Sequence, residues 1–410
     1  MRINMHDFSG HPFQVQLSRE LARRGHEVVH EYSHQYVTGH GRLEVSSADP
    51  ATLTIRSVQT DLPYRKYELL GRGRFELNYA RAWQQNLRRN SYDVVVACNV
   101  PLFTLAKMRR YFGRTAIPWV LWHQDVYSLG VAAEAHRRLP RYLSSIVGGW
   151  LQRLEAKQVN TADAVVAIGP GFVEQYRLWN LDPSHVSVVP NWAPLDEVVP
   201  ADRNNSWARG HGLREDAIRL LYAGTLGRKH NPLLLLDILD ATRAQGVRAA
   251  LTVVSEGIGA DELRRASHGR QDVRILGYQP AERLGEVLAS ADVLLALLEP
   301  DAARFSIPSK IFTYFAAGRP TVALVPDGNP CVEDVRAAGG HVSPPTKAGA
   351  EAAARWITQH REASTLKRLG HQARALAEER FDIRRIGDTF ESILCGVARA
   401  DALEVTGSAR

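Results

Sequence analysis

A lysine at the mouth of a strand–loop–helix unit is the residue in this chain with the clearest chemical use. In Arg304-Phe-Ser-Ile-Pro-Ser-Lys-Ile-Phe-Thr-Tyr-Phe-Ala-Ala-Gly-Arg-Pro320, Lys310 and Ser309 follow a proline and open an apolar helical run ended by Gly318. Asp292-Val-Leu-Leu-Ala-Leu-Leu298 before it reads as a buried strand, and Thr321-Val-Ala-Leu-Val325 after it as another. Pro308 suits a first helical turn, where its missing N–H has no partner to lose. Free N–H groups and the partial positive charge of a helix start suit a phosphate, and Lys310 adds a full charge. Taken alone, the pattern is equally that of an ordinary βαβ unit with a serine cap.

Two other groups have a use of the same kind. In Gly224-Thr-Leu-Gly-Arg-Lys-His-Asn231, Arg228 and Lys229 stand just before a helix beginning at Pro232, so two cations and backbone N–H groups meet where an anion could be held. The strand Pro118-Trp-Val-Leu-Trp122 runs into His123-Gln-Asp125, and side chains past the carboxyl end of a parallel strand face the ligand crevice. His123 and Asp125, two apart, point the same way if the extended geometry continues; the alternative is a structural His–Asp hydrogen bond. His, Cys and carboxylates form no metal-ligand spacing. The dinucleotide fingerprint G-x-G-x-x-G fails twice: Gly257-Ile-Gly259 meets Glu262 at its third position and Gly169-Pro-Gly171 meets Glu174.

Alternating strands and helices must position these residues. The chain opens with a strand over 2–5, the loop Asp7-Phe-Ser-Gly-His-Pro12, a helix carrying Phe13, Leu17 and Leu21, and the strand Glu27–Tyr32. Residues 33–64 read as irregular. Tyr64–Asn90 is basic and aromatic, with Gly71 and Gly73 expected to split it into two helices; its rings and arginines suit either an anionic bilayer or a sheet-packed helix. Strands follow at Tyr92–Cys98, 118–122, Asp163–Ile168 and Val186–Val189. Asn191 to about 216, polar and containing Pro and Asn, is the expected linker. The second half repeats the pattern with strands at Arg219–Gly224, Ala249–Val254, Val273–Gly277, 292–298 and 321–325, and ends in helices. The fold class is therefore α/β, with two doubly wound, Rossmann-like domains: 1–190, a linker 191–216, 217–380, and a C-terminal helix and tail 381–410 expected to pack back on the first domain.

At 410 residues there is room for two cores. The three cysteines, Cys98, Cys331 and Cys395, make no disulfide framework and point to a reducing cytosol. No signal-peptide pattern and no apolar run of about 18 residues is present. The net charge of +7 lies in residues 1–190, and residues 65–114 alone hold 11 basic and 3 acidic side chains. A one-sided basic half points to an anionic partner, or to a merely solvated basic face.

The order of Val189-Pro-Asn-Trp192, Tyr222-Ala-Gly-Thr-Leu-Gly-Arg-Lys229, Val254-Ser-Glu-Gly257, Ile275-Leu-Gly-Tyr278, Ala289-Ser-Ala-Asp-Val-Leu-Leu295 and Ile307–Pro320 resembles retaining GT-B glycosyltransferases of family 4. The branch most like it builds bacterial surface polysaccharides and lipid-linked glycans. The resemblance implies two Rossmann-like domains facing a central cleft, with a nucleotide-diphosphate sugar held mainly by the second domain. Gly224, Thr225, Arg228, Lys229, Ser309 and Lys310 would then meet the diphosphate, and Glu256, Gly277, Tyr278 and Thr313 the base and ribose. The loop Ser9, Gly10, His11 would approach the sugars. His123, assigned to the catalytic centre with Asp125, matches a histidine that hydrogen-bonds the donor sugar and need not be a base. No cofactor and no metal is expected. The implied acceptor is a glycan or a polyprenyl-diphosphate-linked sugar, on a cytoplasmic protein peripheral to the inner face of an anionic membrane, with no nucleic-acid partner.

The sequence departs from that family at one pair of positions. The family carries two glutamates eight positions apart, the second binding ribose, where this chain has Phe305 and Thr313. Glu299 and Asp301, in the preceding loop, are the nearest acids. The departure keeps open a non-catalytic protein that binds a nucleotide sugar or glycan. A sugar-nucleotide epimerase and a nicotinamide-dependent oxidoreductase of the same architecture are the remaining alternatives.

Overall fold

A computed structural model describes residues 1–36, 41–64, 69–138, 140–227, 230–298 and 308–407. The chain forms two compact units, Met1–Pro190 with Ile383–Arg410, and Asn191–Asp382. In the first, chain order is β1 (Arg2–Asp7), α1 (Pro12–Arg23), β2 (Glu27–Ser33), β3 (Leu53–Val58), α2 (Leu69–Arg88), β4 (Val94–Cys98), α3 (Leu102–Thr115), β5 (Trp119–His123), α4 (Tyr127–Arg138), α5 (Arg141–Val159), β6 (Ala164–Ala167), α6 (Gly171–Leu178) and β7 (Val186–Val188). The strands make one parallel sheet in the order β3-β2-β1-β4-β5-β6-β7. The winding reverses between β1 and β4, so the crevice of this unit opens at Asp7 and Cys98.

The second unit runs α7 (Ser206–Gly210), β8 (Ile218–Ala223), α8 (Leu233–Ala244), β9 (Ala249–Val254), α9 (Ile258–Ala266), β10 (Val273–Leu276), α10 (Leu284–Ala289), β11 (Val293–Leu297), α11 (Lys310–Ala316), β12 (Thr321–Leu324), α12 (Cys331–Ala337), β13 (His341–Ser343), α13 (Lys347–Gln359) and α14 (Ala363–Arg380). Its parallel sheet has the order β10-β9-β8-β11-β12-β13 and reverses between β8 and β11. Strand pleating sends Leu221 and Ala223 into one core with Ile311, Phe312 and Phe315, and Leu220 and Tyr222 into the other with Leu235, Leu239 and Ile357. The last helix, α15 (Ile383–Gly407), returns to the first unit. Arg24 reaches Asp388 and Glu391 there, and Phe390 packs edge-on against Trp122, centroids 4.7 Å apart.

Three expectations are corrected. Residues 33–64 hold a strand, β3, paired in parallel with β2. Gly71 and Gly73 do not split the basic segment, which is one helix from Leu69 to Arg88. Each glycine weakens a helix by about 1 kcal/mol, but Phe75, Tyr79 and Trp83 on this helix are fully buried, and Trp83 stacks on His6 at 3.6 Å. Those rings are core rather than a membrane face. Residues 191–216, expected as a linker, belong to the second unit, where Trp192 and Trp207 are buried and Trp207 Nε1 donates to Gln279 Oε1 at 3.0 Å. Among the described residues no helix is long and apolar enough to cross a membrane.

Candidate functional site

At the reversal of the second sheet, β8 and β11 pair at Leu220–Leu221 and then diverge. Diverging strands leave backbone groups without ladder partners, and buried ones must find others. Tyr314 of α11 fills the split: its buried hydroxyl accepts from Ala223 N at 3.1 Å and lies 3.1 and 3.2 Å from the carbonyls of Ala223 and Leu295. Lys310, one helical turn earlier on the same face, therefore stands over the opened strand ends. Its ammonium donates to Tyr222 Oη at 2.5 Å and lies 3.7 Å from the centre of that ring. Tyr222 Oη in turn donates to the carbonyl of Thr225 at 3.0 Å. Burial pushes the Lys310 ammonium down to about 7 and the Tyr222 phenol well above its ordinary range. Gly224 has φ 129°, and a Cβ there would stand 3.1 Å from Lys310 Nζ, so both conformation and space call for glycine.

The residues expected at the base and ribose collect beside this lysine. Thr225 Oγ1 and Tyr278 Oη are 2.7 Å apart, and Tyr278 N donates to Glu256 Oε1 at 3.1 Å. A Cβ on Gly277 would come within 3.0 Å of the same carboxylate oxygen. Tyr278 is half exposed, leaving ring surface open. Thr313 lies half-buried on α11 between Lys310 and Tyr314. Ser309 is exposed and already helical (φ −54°, ψ −24°), without the side-chain cap a β-region N-cap serine makes. Arg228, Lys229, Phe305, Glu299 and Asp301 lie outside the described residues.

In the first unit the reversal is organised by Asp7 and Asn99, which the sequence pattern did not single out. The buried Asp7 carboxylate accepts from His11 N at 2.6 Å, Ser9 N at 3.2 Å and Asn99 Nδ2 at 2.8 Å. It thereby shapes the loop through Ser9, Gly10 and His11; burial raises it to about 7 against those hydrogen bonds. Ser9 and Gly10 are buried and His11 is partly so. His123 closes β5, the neighbour of β4. Its Nδ1 is 2.9 Å from Tyr176 Oη and its Nε2 3.3 Å from Glu155 Oε1, so both ring nitrogens are engaged by buried protein groups. The carboxylate at Nε2 is thus Glu155 of α5, which also accepts from Tyr127 N and Ser128 N at the start of α4. Asp125 is exposed in the loop that follows. Among the described residues no group of three or more His, Cys, Asp or Glu side chains could hold a metal ion.

One signal for the missed residues was present: Tyr314 is four positions from Lys310 and must share its face. Glu155 gave none, being 32 residues from His123.

The family profile "Glycosyl transferase 4-like domain" matches residues 11–192, and "Glycosyl transferases group 1" matches 217–359. A probable glycosyltransferase of Pseudomonas aeruginosa, WbjE, is 25% identical over 272 residues, which are 64% of this chain and 65% of that protein. Among solved structures, a sucrose-phosphate synthase from Thermosynechococcus elongatus superposes with a TM-score of 0.75 at 16% identity, covering 98% of this chain and 100% of that one. HepE of Anabaena, solved with UDP and glucose, gives 0.69 at 15% identity over 97% and 100%. WaaG, a glycosyltransferase involved in lipopolysaccharide biosynthesis, gives 0.67 at 16% over the same shares.

Proposed function

Because the chain belongs to the GT-B glycosyltransferases, with a family 4-like first domain and a group 1 second domain, we propose that it moves a sugar from a nucleotide-diphosphate donor to a glycan or polyprenyl-diphosphate-linked acceptor, with retention, in the building of bacterial surface polysaccharide. The observation that carries the reading is Lys310. Among the described residues its partner is a neutral phenol and not a carboxylate, so a half-buried cation stands at a sheet reversal without a counter-charge. A buried charge is costly until paired, and a diphosphate would supply the pair.

In this reading Lys310 and the backbone at Gly224–Thr225 face the diphosphate, and no metal ion is needed for that charge. Charge builds on the leaving diphosphate in the transition state, where a fixed cation in a dry site lowers the barrier most. Tyr278 offers an exposed ring for the base, with Glu256 and Thr225 fixing its loop. The Asp7-shaped loop would meet the sugars. His123 would hold loop geometry through Glu155 and Tyr176, unless it gives up one of those partners to a sugar hydroxyl. The protein would act in the cytoplasm, peripheral to the membrane that carries the acceptor. Thr313 supports a second reading, a nucleotide-sugar-binding protein without turnover.

A thermal-shift and hydrolysis screen against UDP-, GDP-, ADP- and dTDP-sugars, repeated with Lys310→Ala, tests this. Stabilisation by one donor, weakened by the substitution and accompanied by slow hydrolysis, is expected; NMR of the product's anomeric proton then tests retention. A shift without turnover, even with acceptor lipids added, would favour the binding protein, and no shift with any donor would overturn both readings.

A further inference from the structure

Helix α5 is apolar on two sides. Ser144, Gly148, Leu151, Gln158 and Val159 face inward. Tyr142, Ile146 and Trp150, at four-residue spacing, make a second stripe that points outward, 67%, 68% and 52% exposed, with Leu143 beside it. Single exposed apolar residues are ordinary, but a contiguous stripe is not. The stripe continues onto α3, where Phe103 lies 5.9 Å from Trp150 by ring centroids. It reaches α2 through Lys107, whose Nζ donates to the carbonyl of the exposed Leu77 at 3.2 Å.

The exposed charge described on α3 and α5 has one sign. Arg141, Arg153 and Lys157 are exposed on α5, and Arg110 and Arg114 on α3. The acids of α2, α3 and α5 are Glu76 and Glu155, and both are buried, one against Arg72 and one at the start of α4. We infer that the outward face of α5, rimmed by the cations of α3 and α5, docks this protein on an anionic lipid bilayer. Aromatic rings and branched apolar side chains enter the headgroup boundary while arginine and lysine pair with anionic headgroups. Nucleic acid would match the cations but leave Leu143 and Ile146 in water. A second copy in a two-fold contact would set the same positive rim against itself. The inference deepens the proposed transferase, since it places an acceptor-bearing membrane at the first unit, but the surface stands whether or not the chain transfers sugar.

The test is co-sedimentation of the full chain with vesicles of phosphatidylcholine alone and of phosphatidylcholine with phosphatidylglycerol. Binding is expected only to the second, falling steeply as salt rises. Ile146→Ser with Trp150→Ala, and separately Arg153→Glu with Lys157→Glu, should each weaken it at least tenfold. Melting temperature and donor-induced thermal shift should stay as in the parent. Those two controls separate a lost surface from a lost fold or a failed transferase assignment. Equal sedimentation with both vesicles, or unchanged binding by both double variants, would overturn the inference. So would light scattering showing a dimer that the apolar variant dissolves, which would give the face to a second copy.

Discussion

If Lys310 must be charged to hold a diphosphate, donor affinity should fall as pH rises through neutrality. The free site keeps the ammonium down to about 7 because burial removes water from it. The described groups against it do not titrate nearby: the Tyr222 phenol is pushed far up, and Gly224 contributes only backbone. A bound diphosphate stabilises the charged form and raises the pKa again, so above about 7 binding takes up a proton. Each pH unit then weakens binding tenfold, about 1.4 kcal/mol. Between pH 6.5 and 8.5, a free-site value of 7 gives a loss of about 25-fold, with proton uptake nearing one per site. The pyrophosphate of a nucleotide sugar stays fully ionised across this window. Calorimetry in two buffers of different ionisation enthalpy, using the donor that gives the largest thermal shift, measures both quantities. Lys310→Met should bind more weakly at pH 6.5, by the about 1.5–3 kcal/mol of a charge-assisted bond, and be flat with pH, so that the two curves converge at high pH. A parent affinity as flat as the variant's, with no proton taken up, would refute the claim that this lysine waits half-neutral for an anion.

Four further outcomes follow from the same geometry. Tyr222→Phe removes the hydroxyl between Lys310 and the Thr225 carbonyl, and should weaken donor binding by about 1 kcal/mol, roughly fivefold, in a titration; an unchanged Kd would mean the phenol positions nothing. Gly224→Ala forces a side chain to φ 129° against Lys310, and should lower stability by about 1–3 kcal/mol in urea unfolding and weaken the donor together. Trp207→Ala empties a buried ring from the stretch read as a linker, so a loss of about 3–5 kcal/mol is expected; a loss under about 1 kcal/mol would return that stretch to linker status. Thr313→Glu should tighten donor binding by about 1.5–3 kcal/mol if a ribose lies one turn from Lys310, and no change would place the ribose elsewhere.

Central strands were legible because parallel strands buried on both faces read as unbroken apolar runs, as at Val94–Cys98 and Val293–Leu297. The edge strand β3 was not, because only its end residues, Leu53 and Val58, are buried. Helix α2 was misread because local glycine propensity is weak beside the burial of three aromatic rings. The linker was misread for a related reason: polar composition between 191 and 216 hid two tryptophans that anchor it. At the site, residues next to one another in sequence were found together, as Gly277 and Tyr278 were. Pairings over long separations, His123 with Glu155 and Asp7 with Asn99, needed the fold, because only the sheet order brings those strand ends side by side.

The two sheets solve one problem with different chemistry, and the difference bears on what each holds. A sheet that reverses its winding must spread a pair of parallel strands and satisfy the backbone groups exposed there. The second sheet does so with Tyr314, a neutral hydroxyl, and Lys310 of the same helix rests on another neutral hydroxyl, that of Tyr222. Among the described residues the hydrogen-bond partner of the ammonium is that phenol and no carboxylate, so an incoming anion meets no rival for the charged form. In the first sheet β1 and β4 stay paired as far as Asp7 and Cys98, and the residue at the reversal is Asp7, a carboxylate wrapped by two loop N–H groups and an amide. Once ionised, above about pH 7, it would repel an anion beside it but not a neutral ligand with hydroxyl groups. Taken each by itself, the second unit's reversal suits an anionic group and the first unit's a neutral, hydroxyl-bearing one. A Lys310→Glu chain should accordingly lose nucleoside diphosphate binding while keeping any affinity for a neutral sugar that the first unit has.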